Sequence, residues 1–118
     1  MTERILSGLF DGSWQQKPRE PFRDGITARW LYRGEADTPT VAILEYAPGA
    51  CAPRHRHAGL ETIIVLEGIQ SDESGDYPAG SLIFNPPGSV HSVWSEKGCA
   101  VLIQWDLPVV FVDAEGGR

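Results

Sequence analysis

Apolar residues along this chain come in short runs closed by glycine, proline or acidic turn residues, and no stretch sustains the 3.6-residue period of an amphipathic helix. Ile26 to Tyr32 is rich in β-branched and aromatic side chains, and the polar stretch 34–39 breaks it. Thr40 to Tyr46 is the next run, ended by Pro48 and Gly49. Glu61 to Leu66 is nearly continuous apolar, as expected of a strand covered on both faces, and Gly68 is expected to stop it. Ile69 to Asp72 and the pair Asp76-Tyr77 flank Glu73-Ser74-Gly75, which reads as a hairpin loop. Pro78-Ala79-Gly80 leads into Ser81 to Asn85, Pro86-Pro87-Gly88 into Ser89 to Ser95, and Glu96-Lys97-Gly98 into Cys99 to Trp105. About eight short strands at regular spacing predict an all-β sandwich or barrel.

Residues 1–25 are less regular. The run Lys17-Pro18-Arg19-Glu20-Pro21 suits neither a helix interior nor a central strand. The segment is expected to be an irregular arm packed along a barrel that spans 26–112, with a frayed tail over 113–118. A chain of 118 residues makes one domain, able to bury about two thirds of its unfolded surface. Its net charge of −6 and pI near 4.9 argue against a nucleic-acid partner and against docking on an anionic membrane. No apolar run approaches spanning length and no signal-peptide h-region is visible, so a cytoplasmic location is expected. Cys51 and Cys99 form no CxxC pair and are expected to be buried or partly buried free thiols.

Against this background two patterns carry chemistry. One is Gly49-x5-His55-x-His57-x3-Glu61-x6-Gly68, the other Gly80-x5-Pro86-x-Gly88-x2-His91. They contain all three histidines of the chain. On a strand, residues two apart face the same way, so His55 and His57 project together. The short link Ala58-Gly59-Leu60 can return Glu61 to the same point, and a barrel can bring His91 beside the pair. Each residue alone has an ordinary explanation: an incidental HxH, a solvent-facing glutamate, a hydrogen-bonded core histidine. A carboxylate leading into the core-like run after Glu61 nevertheless needs a partner. Three imidazoles and a carboxylate in this order make a donor set for one divalent transition metal: Fe, Mn, Ni or Zn. Six-coordinate Fe, Mn or Ni would keep two positions for other ligands, whereas tetrahedral zinc would be closed by these four.

These two patterns resemble the two motifs of the cupin superfamily, small RmlC-like jelly-roll barrels that carry a metal inside. The resemblance covers Gly49 to about Ser95, and it departs where Ser95 stands in place of the usual asparagine. Within the superfamily, the run from His57 through Gly68 is similar to the cupin domain of ChrR-type anti-sigma factors. So are Asp72-Glu73-x-Gly75-x-Tyr77, Asn85-Pro86-Pro87-Gly88-Ser89-x-His91 and Gly98-Cys99. Related stand-alone cupins include dioxygenases that cleave diketones or hydroxyaryl ketones. The resemblance implies a single-domain, double-stranded β-barrel with His55, His57, Glu61 and His91 as metal ligands. It does not carry over sigma-factor binding, because no histidine or cysteine precedes Cys51 to build the zinc-binding domain that holds the sigma factor.

Three readings follow. The first is a dioxygenase-like enzyme acting on a small oxygenated molecule, with no catalytic residues beyond the metal ligands. The second is a non-catalytic sensor or regulatory module. The third is a purely structural metal that stiffens a small barrel. Trp30, Phe84, Val93, Gln104 and Trp105 are candidate pocket residues, with core packing as the alternative for each. Gln104, between Ile103 and Trp105, would need a hydrogen-bond partner if it pointed inward. Arg54 and Arg56 have the opposite parity to the histidines and are read as surface charges. Small barrels with open edges pair readily, so a homodimer is expected.

Overall fold

Ten strands form among the residues that the computed structural model describes, 4–35 and 38–112. They are β1 (Glu20–Arg23), β2 (Ile26–Arg33), β3 (Thr40–Tyr46), β4 (Cys51–Arg56) and β5 (Glu61–Asp72), then β6 (Gly75–Pro78), β7 (Leu82–Asn85), β8 (Val90–Trp94), β9 (Cys99–Trp105) and β10 (Val110–Phe111). The tail 113–118 lies outside the described residues. No helix among the described residues is long and apolar enough to cross a membrane.

All pairings are antiparallel and fall into two sheets that share β5. The first sheet runs β1-β2-β3-β9 and then the first half of β5, with β7 on its far side. The second runs β6, the second half of β5, β8, β4 and β10. The run expected to stop at Gly68 therefore continues as one strand of 12 residues. The register with β9 shifts between Val65 and Glu67, and Gly68 adopts φ 74°. A side chain there would collide with the carbonyl of Gly98 and the backbone of Cys99. The glycine thus lets the strand bend from one sheet into the other without losing its neighbour, which is why it does not act as a stop.

Between the sheets lies the core, built from alternate residues: Ala42, Leu44 and Tyr46 of β3, Ile63 and Val65 of β5, Val101 and Ile103 of β9. The even-numbered positions of β5 from Thr62 to Leu66 are only half-buried, so this strand is fully covered on one face rather than two. The other face of the first sheet is covered by the arm. Trp14, in a 3₁₀ turn (Ser13–Gln16), is 1% exposed and packs on Ile43 and Ala100, with Leu6, Leu9 and Leu102 around it. Arg29 fastens the arm from below. Its Nη1 donates to the carbonyls of Gln15 and Lys17, its Nε donates to Glu45, and its guanidinium lies over the Trp14 ring. The arm is not irregular throughout, because residues 20–23 join the sheet as β1. Pro21 is tolerated there because β1 is an edge strand.

Removing the Trp14 side chain leaves a cavity that the outer sheet cannot close. Trp14→Ala should lower the free energy of unfolding by about 3–5 kcal/mol in urea titrations.

Candidate metal centre

The turn Pro86-Pro87-Gly88-Ser89 sets the geometry. The Ser89 N–H donates to the Pro86 carbonyl at 3.1 Å, and Gly88 at the third position adopts φ 89°, as a type II turn requires. The Gly88 N–H donates to the His57 carbonyl and the His57 N–H to the Ser89 carbonyl, at 2.8 and 2.9 Å. The turn is thereby clamped to the residue just past β4. One step along, His55 and His91 are direct cross-strand partners, so their side chains share a face. Ring centroids are 5.1 Å apart for His55–His57, 4.8 Å for His55–His91 and 4.7 Å for His57–His91. One nitrogen from each ring lies within 4.8 Å of the other two, and all three residues are buried. Together they could hold a metal ion.

Each imidazole is oriented through Nδ1. His55 Nδ1 lies 2.7 Å from the Pro53 carbonyl oxygen. His57 Nδ1 lies 3.0 Å from the Ser89 carbonyl oxygen and 2.9 Å from its hydroxyl. His91 Nδ1 lies 3.0 Å from Asp72 Oδ2. Carbonyls and carboxylates only accept, so every Nδ1 carries a hydrogen, and in the neutral ring Nε2 then keeps its lone pair. Nε2 of His57 and of His91 is buried without a hydrogen-bond partner. Buried nitrogens are rarely left so unless something else occupies that direction. The donor set therefore suits a first-row divalent metal.

Glu61, also buried, sits at the start of β5 opposite Asn85. Asn85 Nδ2 donates to its Oε1 at 2.9 Å. The same oxygen lies 3.1 Å from His57 Nε2, without hydrogen-bond alignment. Burial alone would lower the His57 pKa, but the Glu61 carboxylate beside it and the Ser89 carbonyl reverse this, and the net direction is upward. For His55 burial prevails and the direction is downward. Asp72 is opposed by burial, yet its bonds from Tyr77, Ser74 and His91 hold it below the usual carboxylate range.

The centre opens into a cavity of about 330 Å³ whose wall includes His55 and Glu61. Of the expected pocket residues, Trp30, Val93 and Trp105 line it. Phe84 and Gln104 do not. Phe84 is 60% exposed, because Ile83 and Asn85 take the inward positions of β7. Gln104 alternates with the inward Ile103 and Trp105, and its Nε2 donates to Asp106 Oδ1 at 2.7 Å. The wall also includes residues that were not anticipated, among them Arg23, Arg33, Tyr46, Gln70 and Phe111. Tyr46 shares the parity of Ala42 and Leu44, so periodicity offered a signal; Arg23 and Phe111 lie on short strands with none. Cys51 and Cys99 are free, and Cys51 is exposed rather than buried because it begins β4 with its side chain outward. Burial pushes the Cys99 thiol up.

The family model for the ChrR cupin-like domain matches residues 11–106. The chain belongs to that family. It is 34% identical over 94 residues to the anti-sigma-E factor ChrR of Cereibacter sphaeroides, covering 70% of this chain and 44% of the relative. It is 32% identical over 76 residues to the DNA damage-repair/toleration protein DRT102 of Arabidopsis thaliana, covering 59% of this chain and 24% of the relative. The chain thus spans less than half the length of both curated relatives. The acetylacetone dioxygenase of Acinetobacter johnsonii has the same fold, with a TM-score of 0.76 at 19% identity, over 100% of this cupin and 80% of the dioxygenase.

In this cupin the Tyr77 hydroxyl donates to Asp72 Oδ1 at 2.6 Å, behind His91. Burial, and then that carboxylate, push the Tyr77 phenol from 10.0 up to about 12. The fold favours the neutral phenol, so its contribution to stability is intact below pH 10 and is lost between pH 10 and about 12. Unfolding free energies measured by urea across that range should fall. Tyr77→Phe should make the fall shallower, with Tyr46, also raised by burial, accounting for part of the remainder.

Proposed function

We propose that this cupin holds one divalent metal on His55, His57 and His91, with Glu61 as fourth ligand, and binds a small oxygenated organic molecule beside it in a dioxygenase-like reaction. The observation that carries this is the common orientation of the imidazoles, each Nδ1 turned to a protein acceptor, which leaves Nε2 of the neutral ring to bind a metal. The buried, unpartnered Nε2 atoms of His57 and His91 support it, as does the Glu61 oxygen 3.1 Å from His57 Nε2. The likeness to the acetylacetone dioxygenase supports the substrate class. A bound divalent metal supplies Lewis-acid polarisation and, if redox-active, dioxygen chemistry. The chain's own part is to bind and orient. Trp30, Val93 and Trp105 keep water from the organic body, and the Tyr46–Gln70 pair offers polar groups within the cavity.

The experiment is metal analysis of protein purified without chelator, followed by oxygen uptake after loading with Fe(II). About one metal per chain is expected, falling to below a tenth in His55→Ala/His57→Ala. Asp72→Ala should weaken metal affinity by about 10–100-fold by removing the acceptor that orients the His91 ring. Oxygen uptake with acetylacetone or a hydroxyacetophenone supports the dioxygenase reading. Retained metal with no uptake across a panel of such ketones favours instead the sensor reading, which the kinship to an anti-sigma factor supports.

We also infer that the chain pairs with a second copy through the outer edge of β7. Leu82 and Phe84 there are 56% and 60% exposed, and β7 has no second neighbour among the described residues. Light scattering should give twice the mass of the chain, and Phe84→Glu should halve it.

A further inference from the structure

The cavity beside the histidines is mostly apolar, yet two guanidiniums stand in its wall. Arg23 lies over the ring of Phe111 with its central carbon 4.0 Å from the centroid. Phe111 in turn contacts His55, at 5.7 Å between ring centroids. Arg33 lies over Trp30 at 3.9 Å. Stacking on an aromatic face satisfies the charge of an arginine but none of its in-plane N–H groups. Arg23 Nε is buried and donates to nothing. No carboxylate among the described residues lies within ion-pair distance of Arg23 or Arg33. The one carboxylate in the cavity wall, Glu61, already accepts from Asn85 and lies against His57 rather than either arginine. In a chain of net charge −6, this cavity concentrates unpaired positive charge against aromatic surface.

We propose that the cavity takes an organic carboxylate with an apolar or aromatic body, and that Arg23 is the specificity-determining residue that receives the carboxylate. This deepens the proposed function, on whose reading of the cavity as the ligand site it rests. The guanidinium of Arg23, held over Phe111 in the cavity wall with no carboxylate of the described residues beside it, is set for a carboxylate acceptor. Trp30, Trp105 and Phe111 supply flat surfaces for the body of the molecule. Excluding water from this lining strengthens the ion pair. Arg33, over Trp30, raises the local potential for an anion without being required as a direct contact.

The test compares 3-phenylpropanoate with its neutral isostere 3-phenylpropanamide by titration calorimetry on the metal-loaded protein, with metal content measured in every sample. Wild type should bind the acid at least tenfold more tightly than the amide. Arg23→Gln should reduce that preference to within threefold while keeping its metal, and Arg23→Lys should keep an intermediate preference. Equal binding of acid and amide by wild type overturns the proposal whatever the variants do, and so does failure of both to bind at millimolar concentration. A preference that survives Arg23→Gln belongs to the metal or to Arg33 and also overturns it. Wild type that contains no metal yet shows the Arg23-dependent preference sinks the proposed function and supports this inference. Wild type that holds metal without that preference sinks this inference alone.

Discussion

Burying four polar side chains at one spot is the constraint around which this small shell is organised. An imidazole or carboxylate taken from water without partners is expensive, and a 118-residue domain has little stability in reserve. The chain meets the cost from one side only. Pro53, Ser89 and Asp72 each take up one Nδ1–H, and Asn85 donates to the Glu61 carboxylate. What faces inward is a set of acceptor atoms with little to donate to them. A cation resolves that surplus, and an apolar core residue at any of these positions would not.

The topology serves this arrangement. β4 and β8 place His55 and His91 opposite each other, and the type II turn at 86–89 binds back onto His57. The inward side of β3, β5 and β9 is aliphatic at its middle positions, from Ala42 and Leu44 to Ile63, Val65, Val101 and Ile103, while Trp30, Trp105 and Phe111 line the cavity beside the centre. The outer side of the first sheet would be left open but for Trp14 and the Arg29 clamp. Stability and site geometry therefore rest on different residues, and a substitution in the arm need not disturb the histidines.

Much of this was legible beforehand, for identifiable reasons. The histidine spacing and the turn residues between strands follow short-range rules, and they located His55, His57, His91 and most of the barrel strands. Glu61 could be placed beside them because a charge entering an apolar strand needs a reason to be there. The misses arise where side-chain direction depends on a distant pairing. Phe84 and Gln104 sit one position out of phase with the inward faces of β7 and β9, which sequence alone does not fix. Gly68 read as a terminator because nothing local reveals that Gly98 and Cys99 pass so close. Arg23 and Phe111 belong to strands of four and two residues, too short to carry a period, and only the fold brings them to the cavity.

Strand β5 has one property that these parts do not show singly. Its first residue stands beside His57 and its last is bonded to His91, so one extended segment touches two of the three rings from opposite ends. It behaves as a rigid spacer with a jog at Gly68. The hairpin at 73–75 follows directly on Asp72, and there the Glu73 carboxylate accepts from the Ser92 N–H on the exterior. The inside of the shell and a patch of its outer skin are thus strung on the same wire.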